Sequence, residues 1–290
     1  MTASMPMTGE TRTPAVPGFV ERWRQSVARF GPFCLGVDPS SDVLRRWGLA
    51  DSPEGLAVFC ERLLHWTDGL VGMLKPQVAF FERFGAKGFG VLEQLVAQLR
   101  RRGALVLLDG KRGDIGTTCA AYAQAYFGPA SSCRVDAMTA HAYLGFAALE
   151  PMFAAADLAG GAVFVVVASS NAEGAALQAA KTSDGGSVAL ALAQAIRQRN
   201  AASGTNSCAA VIGATRGEAG REALDALGGA LVLAPGIGAQ GATIADLAGF
   251  PERRNIIPAA SRAVLDAGHD AAAFRRQLEL LSAEAMALAR

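Results

Sequence analysis

The stretch "AVFVVVA" (residues 162–168) is a continuous apolar run in which valine and phenylalanine predominate. A run of this kind is typical of a β-strand that is buried on both faces, as in a parallel sheet covered by helices. A strand with one face in water would instead alternate apolar and polar residues. The stretch therefore predicts one strand of a parallel α/β fold.

Similar runs recur along the chain, separated by longer segments of helical periodicity such as "SVALALAQAIRQRN", for which Ser187 is a suitable N-cap. Strands that alternate with helices pair in parallel, and eight such units predict a single-domain (β/α)₈ TIM barrel. A doubly wound open sheet is the alternative. The other seven predicted strands are "PFCLGV" (32–37), "GMLKPQVAF" (72–80), "ALVLL" (104–108), "VDAMTA" (135–140), "CAAVIGA" (208–214), "ALVLA" (230–234) and "NIIPAA" (255–260).

Residues 19–290 are predicted to form the barrel, because no linker rich in proline or glycine divides them. Residues 1–18 are rich in Thr, Pro and Gly and are predicted to be a flexible lead-in rather than a secretory signal. No apolar run approaches the roughly 18 residues of a membrane helix. The five cysteines lack metal-binding or disulfide spacing, which indicates a reduced, cytoplasmic protein.

The formal net charge of the 290 residues is +1, and the charges of both signs are interspersed. Such a chain offers no basic face for nucleic acid and no polybasic run for an anionic membrane. The expected partners are therefore small molecules or other protein subunits.

The most informative charged segment is "VLLDGKRGDIGTT" (106–118), in which polar residues directly follow an apolar strand. Asp109 and Lys111 fall at the C-terminal end of this strand, where barrel enzymes build their active sites. Residues two apart on a strand point to the same side, so both side chains could reach one ligand. Asp114 lies in the turn that opens the next helix.

Lysine is rare in this chain, with four lysines among 27 basic residues. Two of the four, Lys75 and Lys111, lie in or just after apolar strand segments. Lysine can give up a proton whereas arginine cannot, so this placement indicates a need for a proton donor. A surface salt-bridge cluster on a loop is the alternative interpretation.

The segment "LAPGIGAQGA" places Gly236, Gly238 and Gly241 after the seventh predicted strand, in the spacing of a dinucleotide-binding motif. No acidic residue ends the next strand, "NIIPAAS", to hold a ribose. In a (β/α)₈ barrel, the loops after strands seven and eight commonly bind phosphate through backbone N–H groups. Arg262, after strand eight, could add a bidentate charge to the same phosphate. A tight turn beside a solvated arginine is the alternative.

These motifs together resemble the orotidine 5′-monophosphate decarboxylase family, in particular its bacterial branch with a "DxKRGDI" signature. The resemblance runs from about Phe33 to Leu265, and the segments that carry it occur in the family's order. They depart from the family's usual pattern at Gly110, in "AHAYLG" and in "SSNAEG". The matching segments are "LGVDPS", "LKPQ", "LDGKRGDIGTT", "SSNAEG", "PGIGAQG" and "ASRAV".

The resemblance implies that the chain decarboxylates orotidine 5′-monophosphate without a metal or another cofactor. Lys111 would be the proton donor to carbon 6 of the pyrimidine. An alternating array of charges would surround that carbon, formed by Lys75, Asp109, Lys111 and Asp114.

The resemblance also implies the substrate-binding residues. Asp38 and Lys75 would bind the ribose hydroxyls, and Ser170 would contact the pyrimidine. Gln240 would bridge the base and the phosphate, which Arg262 would hold. A homodimer is implied as well, with Asp114, Ile115 and Thr118 reaching into the partner's active site.

Two other functions remain open. A metal-dependent sugar-phosphate lyase or aldolase on a related barrel would share the D-x-K-x-x-D pattern. Such enzymes, however, use an acidic residue near the end of strand two to bind Mg²⁺, where this chain has Lys75. A barrel that binds a nucleotide without catalysis would lack a charge of the array, and none is missing.

Overall fold

The computed structural model describes residues 17–215, 217–238 and 241–290. Eight parallel strands close into a barrel in which each strand pairs with its neighbours in chain order and β8 pairs with β1. The predicted (β/α)₈ TIM barrel is therefore confirmed, and the open sheet is wrong. The strands are β1 (Cys34–Val37), β2 (Met73–Pro76), β3 (Leu105–Arg112), β4 (Ala137–Ala140), β5 (Ala162–Ala168), β6 (Cys208–Ile212), β7 (Val232–Pro235) and β8 (Ile256–Ala260).

Helices cover the outside of the barrel and bury their apolar faces against the strands. The predicted N-cap Ser187 is confirmed, because its side chain accepts a hydrogen bond from the backbone N–H of Leu190. The helices are α1 (Phe19–Phe30), α2 (Ser41–Arg46), α3 (Pro53–Trp66), α4 (Ala79–Glu82), α5 (Gly85–Arg101), α6 (Gly116–Phe127), α7 (Glu150–Ala159), α8 (Ala175–Ala179), α9 (Val188–Ser203), α10 (Glu218–Ala226), α11 (Arg262–Leu265) and α12 (Ala271–Leu288).

Helix α1 precedes β1 and contributes to the core inside the barrel. Its buried residues Phe19 and Trp23 belong to one apolar cluster with the inward-facing residues of the strands. The ring of Phe19 packs edge-to-face against Phe164 of β5, with 5.9 Å between ring centroids. Phe19 is the first residue of α1, and the predicted lead-in lies mostly in residues 1–16, outside the described ranges.

The inward-facing residues change from apolar to polar toward the C-terminal ends of the strands. On β3, Leu105 and Leu107 belong to the interior apolar cluster, whereas Asp109, two residues further on, is a buried carboxylate. On β2, Met73 is followed in the same way by buried Lys75. The period of two along each strand thus brings charged side chains together at the C-terminal end of the barrel.

Strand β3 is longer than the sequence predicts and contains an irregularity. It was expected to end at Leu108, but it continues to Arg112, and its register against β4 shifts between these two residues. Lys111 lies within the shifted segment and has a φ of 44°. Strand irregularities of this kind redirect side chains and are common beside active sites. In the ranges that the structure describes, no helix combines the length and apolar character needed to span a membrane.

Candidate active site

The carboxylate of Asp109 is the centre of the site and accepts four hydrogen bonds. Its Oδ2 accepts from Lys75 Nζ at 2.8 Å and from Gln77 Nε2 at 3.0 Å. Its Oδ1 accepts from Lys111 Nζ at 2.6 Å and from Thr139 Oγ1 at 2.8 Å. Both oxygens are therefore satisfied by groups on β2, β3 and β4 and on the residue that follows β2. One carboxylate is held between two ammonium groups.

The charges of this cluster fix its protonation state. Burial alone would raise the pKa of Asp109, but Lys75 and Lys111 outweigh it and hold that pKa well below its ordinary range. Burial alone would lower the pKa of Lys75, but Asp109 and then Asp38 raise it above its ordinary value. Near neutral pH, Asp109 is therefore ionised and Lys75 is protonated.

The two lysines differ in their access to the mouth of the barrel. The side chain of Lys75 is 9% exposed, whereas that of Lys111 is 40% exposed. Lys75 is thus part of the floor of the site, and the ammonium of Lys111 can meet a molecule that enters from solvent. Asp109 links the two.

A cavity of about 250 Å³ opens beside this cluster. Asp38, which follows β1, contributes a buried Oδ1 that has no hydrogen-bond partner among the described residues. A buried carboxylate oxygen without a partner is costly, and a ligand hydroxyl would satisfy it. The lining residues come from β1, β2, β3, β7 and β8 and the segments after them, and they include Lys75, Gln77, Asp109, Gly236, Ser261 and Arg262.

The start of the glycine-rich loop after β7 lines this cavity through Gly236 and Ile237. Gly236, Gly238 and Gly241 all have positive φ angles, between 76° and 110°. The N–H of Gly238 donates to the carbonyl of Ala242 at 2.7 Å, which closes the turn. The dinucleotide-binding interpretation fails because the sheet is a closed barrel. It fails also because the described residues between β7 and β8 form two 3₁₀ turns, Ala245–Gly249 and Arg253–Asn255, and no α-helix.

Arg262 is the first residue of α11 and lines the same cavity. Its side chain is exposed and forms no ion pair with any residue in the described ranges. An arginine beside a loop of this kind is suited to bind a phosphate. Gln240, the other predicted phosphate-side residue, lies outside the described residues.

Asp114 is the one member of the predicted charge array that the structure does not bring to the cluster. Its Oδ1 accepts a hydrogen bond from the backbone N–H of Ile115 at 2.8 Å, and it makes no ion pair within the described part of the chain. Ile115 is 59% exposed, and Thr118 is exposed on the first turn of α6. All three residues belong to the segment directly after β3, in which Asp114 is half-buried and the other two are exposed.

Ser170 lies two residues beyond the end of β5, against the backbone of Gly213 at the end of β6. His141 follows β4, where burial and the Lys111 ammonium lower its pKa while Asp109 acts in the opposite direction. Both residues are thus at the C-terminal end of the barrel.

Gln77 and Thr139 are polar residues of the site that the sequence analysis missed. Gln77 is part of the quoted "LKPQ" segment, two residues beyond Lys75, and the period of two could have placed it beside the cluster. Thr139 lies at an inward position of "VDAMTA", two residues after Ala137 of the interior cluster. A single threonine in an apolar strand carries no comparable signal.

The described residues contain no group of three or more His, Cys, Asp or Glu side chains placed to hold a metal ion. A larger cleft of about 790 Å³ lies near the other end of the barrel, between α1 and the end of α12. Its lining contains four arginines and one glutamate but no lysine–carboxylate cluster, so the smaller cavity is the candidate site.

The fold and the cluster together define a (β/α)₈-barrel enzyme with a buried lysine–aspartate–lysine centre at the C-terminal end of the barrel. The model of the Orotidine 5′-phosphate decarboxylase / HUMPS family matches residues 31–277. The chain belongs to this family.

Relatives and solved structures agree with this assignment. The chain is 47% identical over 266 residues to orotidine 5′-phosphate decarboxylase of Myxococcus xanthus, covering 90% of this chain and 92% of the relative. It is 48% identical over 275 residues to the Salinispora arenicola enzyme of the same name, covering 93% and 97%. A crystal structure of a candidate orotidine 5′-phosphate decarboxylase from Streptomyces avermitilis superposes with a TM-score of 0.90 at 40% identity, covering 97% of this chain and 99% of that one.

Proposed function

We propose that this protein decarboxylates orotidine 5′-monophosphate to UMP and CO₂, with Lys111 as the proton donor. The observation that carries the proposal is the position of Asp109 between Lys75 and Lys111, with the Lys111 ammonium open to the barrel mouth. This arrangement contains three of the four members of the alternating charge array implied by the family resemblance, and the fourth, Asp114, lies apart from it.

The reaction breaks the bond between carbon 6 of the pyrimidine and its carboxylate carbon, and the bonding electron pair stays on carbon 6. CO₂ leaves, and a proton moves from Lys111 Nζ to carbon 6, which yields UMP and leaves a neutral amine that solvent reprotonates. A fixed ammonium beside the developing carbanion stabilises it more than water would, because the ammonium is already oriented before the charge develops. The same group then acts as the general acid.

Asp109 keeps the ammonium of Lys111 in place through a 2.6 Å contact. Lys75 holds the other oxygen of this carboxylate, so that Asp109 cannot rotate freely toward solvent. The catalytic role therefore falls to Lys111, with Asp109 and Lys75 as its charged neighbours.

The remaining parts of the nucleotide would be held around the 250 Å³ cavity. The unpartnered Oδ1 of Asp38 would accept a ribose hydroxyl, beside the ammonium of Lys75. Arg262 and the loop of Gly236 and Gly238 would bind the phosphate, together with Gln240. Ser170 would contact the pyrimidine. Binding of the remote phosphate contributes energy that holds the ring against Lys111.

We further propose a homodimer in which Asp114, Ile115 and Thr118 enter the partner's site. Two observations support it: Asp114 is separate from the charge cluster of its own chain, and Ile115 exposes more than half of its apolar surface. We also propose that the protein belongs to the bacterial branch with the "DxKRGDI" signature and that it is cytoplasmic. Residues 1–18 would form a flexible segment before one catalytic domain over residues 19–290.

The test is an ultraviolet assay of the conversion of orotidine 5′-monophosphate to UMP by the purified protein in the presence of EDTA. We expect turnover that EDTA does not reduce. Activity that EDTA abolishes and Mg²⁺ restores would instead support a metal-dependent lyase. Tight binding of the nucleotide without release of CO₂ would support a non-catalytic barrel.

A further inference from the structure

Thr139 and Lys111 are connected by two separate routes that form a closed ring of hydrogen bonds. The backbone N–H of Lys111 donates to Thr139 Oγ1 at 2.9 Å. The same hydroxyl donates its proton to Asp109 Oδ1 at 2.8 Å. That oxygen also accepts from Lys111 Nζ at 2.6 Å. One hydroxyl thus contacts the backbone of Lys111 and the carboxylate that holds its side chain.

The ring restrains a residue whose backbone is in an unfavourable conformation. Lys111 has a φ of 44°, in the left-handed region that residues with a Cβ atom rarely adopt. Such a conformation persists only where surrounding contacts enforce it, and it occurs preferentially at functional sites. Thr139 accepts the hydrogen bond of the Lys111 N–H. It therefore restrains the conformation that directs Lys111 toward the mouth.

The hydroxyl proton of buried Thr139 is committed to this ring. Thr139 is 1% exposed and lies on β4, next to β3. A threonine hydroxyl has one proton, and here that proton goes to Asp109 while a lone pair receives the N–H of Lys111. Valine has nearly the same shape as threonine but no hydroxyl. It would leave the Lys111 N–H without an acceptor and would remove one of the hydrogen bonds to Asp109 Oδ1.

We propose that Thr139 is a positioning residue for proton transfer, and that it acts by fixing both the backbone and the ammonium of Lys111 relative to carbon 6 of the substrate. In this role, Thr139 contacts neither carbon 6 nor the proton that Lys111 transfers to it. The inference rests on the proposed decarboxylase function. It adds Thr139 as the residue that fixes the position of the proton donor, Lys111. A displacement of about 1 Å at a reacting group can cost about 10²-fold in rate.

The experiment compares Thr139→Val and Thr139→Ser in the full-length protein. We expect kcat for orotidine 5′-monophosphate to fall about 10²-fold in Thr139→Val. We expect KM and the Kd of UMP to stay within about threefold of the wild-type values, since Thr139 lies outside the proposed ligand contacts. Thr139→Ser keeps the hydroxyl and should recover most of kcat.

The matched control is Thr67→Val. Thr67 is also buried, and its hydroxyl donates to the carbonyl of Leu63 at 2.8 Å at the end of α3. This variant loses a buried hydroxyl and should keep kcat. Thr139→Ala is a second variant without the hydroxyl, for the case in which Thr139→Val does not fold.

Near-normal kcat in Thr139→Val would overturn the inference, as would a Thr139→Ser variant no better than Thr139→Val. A rise in KM that accounts for the whole loss would place Thr139 in binding instead. Failure of both Thr139→Val and Thr139→Ala to fold would make its role structural, and would overturn the inference too. A wild-type protein without decarboxylase activity would contradict the proposed function itself, which is a distinct outcome.

Discussion

The ammonium of Lys75 lies 2.8 Å from Asp109 Oδ2, and each of the two side chains is 9% exposed. A buried ion pair of this kind stabilises the fold only while both partners are present, because either charge alone would be left in a medium that solvates it poorly. The pair therefore links the stability of the barrel to the protonation state of its active site.

The first prediction concerns acid stability. The pKa of Asp109 is held well below its ordinary value of about 3.9, so its stabilisation is complete above that pH and is lost as the pH falls toward the folded-state pKa. The pKa of Lys75 is raised above about 10.4, so its stabilisation is complete below that pH and is lost as the pH rises through the folded-state pKa. The pair should therefore stabilise the fold fully at any pH between the ordinary pKa of an aspartate and that of a lysine.

Urea unfolding measured from about pH 6 down to about pH 3 tests the acid side of this window. The wild-type free energy of unfolding should exceed that of Asp109→Asn by about 3–5 kcal/mol near pH 6. This difference should narrow as the pH falls. A constant difference across the range would show that the Asp109 charge does not contribute in this way.

The second prediction concerns Lys111. Lys111→Ala and Lys111→Arg should both lose at least about 10³-fold in kcat/KM, because arginine keeps a charge but cannot donate the proton. Lys87→Ala is the matched control, since Lys87 is well exposed and its ammonium lies 3.7 Å from Glu54, away from the site. Circular dichroism should show all three variants folded. Turnover of Lys111→Ala within tenfold of the wild type would remove Lys111 from the mechanism.

The third prediction concerns the phosphate. Arg262→Ala should reduce kcat/KM for orotidine 5′-monophosphate by about 10²-fold, the equivalent of about 3 kcal/mol for a lost bidentate charge contact. The nucleoside orotidine has no phosphate, so its much slower reaction should change little. Arg254→Ala, an exposed arginine before β8, is the control. Equal losses on both substrates would show that Arg262 acts structurally.

The fourth prediction concerns the shared site. Lys111→Ala and Asp114→Ala homodimers should each be nearly inactive. A mixed dimer contains one chain of each variant. Both substitutions then fall in one active site, and the other site has wild-type residues from both chains. Activity should reach about a quarter of the wild-type level when equal amounts exchange at random, because half of the dimers are mixed and each has one intact site. If tagged co-purification shows mixed dimers without recovered activity, Asp114 serves its own chain.

The fifth prediction separates two glycines of the segment 109–115. A Cβ atom at Gly110 would meet its nearest neighbour at 3.6 Å, an ordinary contact, so Gly110→Ala should fold and stabilise by up to about 1 kcal/mol. A Cβ atom at Gly113 would lie 2.2 Å from the carbonyl oxygen of His141, so Gly113→Ala should force β3 and β4 apart and lower both stability and kcat. Thermal unfolding and the decarboxylation assay measure both. Equal behaviour of the two variants would contradict this account.

The fold was predictable from local patterns because each strand carries its own signal. "AVFVVVA" is buried on both faces as part of β5, and its continuous apolar character follows directly from that environment. The position of Asp109 and Lys111 at the end of a strand follows from the same pattern. One departure was β2, which ends at Pro76, whereas the predicted strand ran to Phe80, a residue of α4. Another was the length of β3, which continues to Arg112 through an irregular segment. Apolar periodicity carries no information about such a segment, since its residues are polar and its register is set by the neighbouring strand.

The sequence by itself determined the barrel, its strand order and the C-terminal placement of the charged residues, because these depend on hydrophobic periodicity and on chain order. Only the tertiary structure decided which groups share the Asp109 carboxylate. Gln77 and Thr139 reach it from segments that are adjacent in the barrel but distant in the chain, and their contacts depend on strand register and on the conformation of Lys111. The separation of Asp114 from that cluster was likewise decided by a turn, in which its carboxylate binds the next backbone N–H. Hydrogen bonds between segments far apart in the chain require positions accurate to a few tenths of an ångström, and no local pattern specifies these.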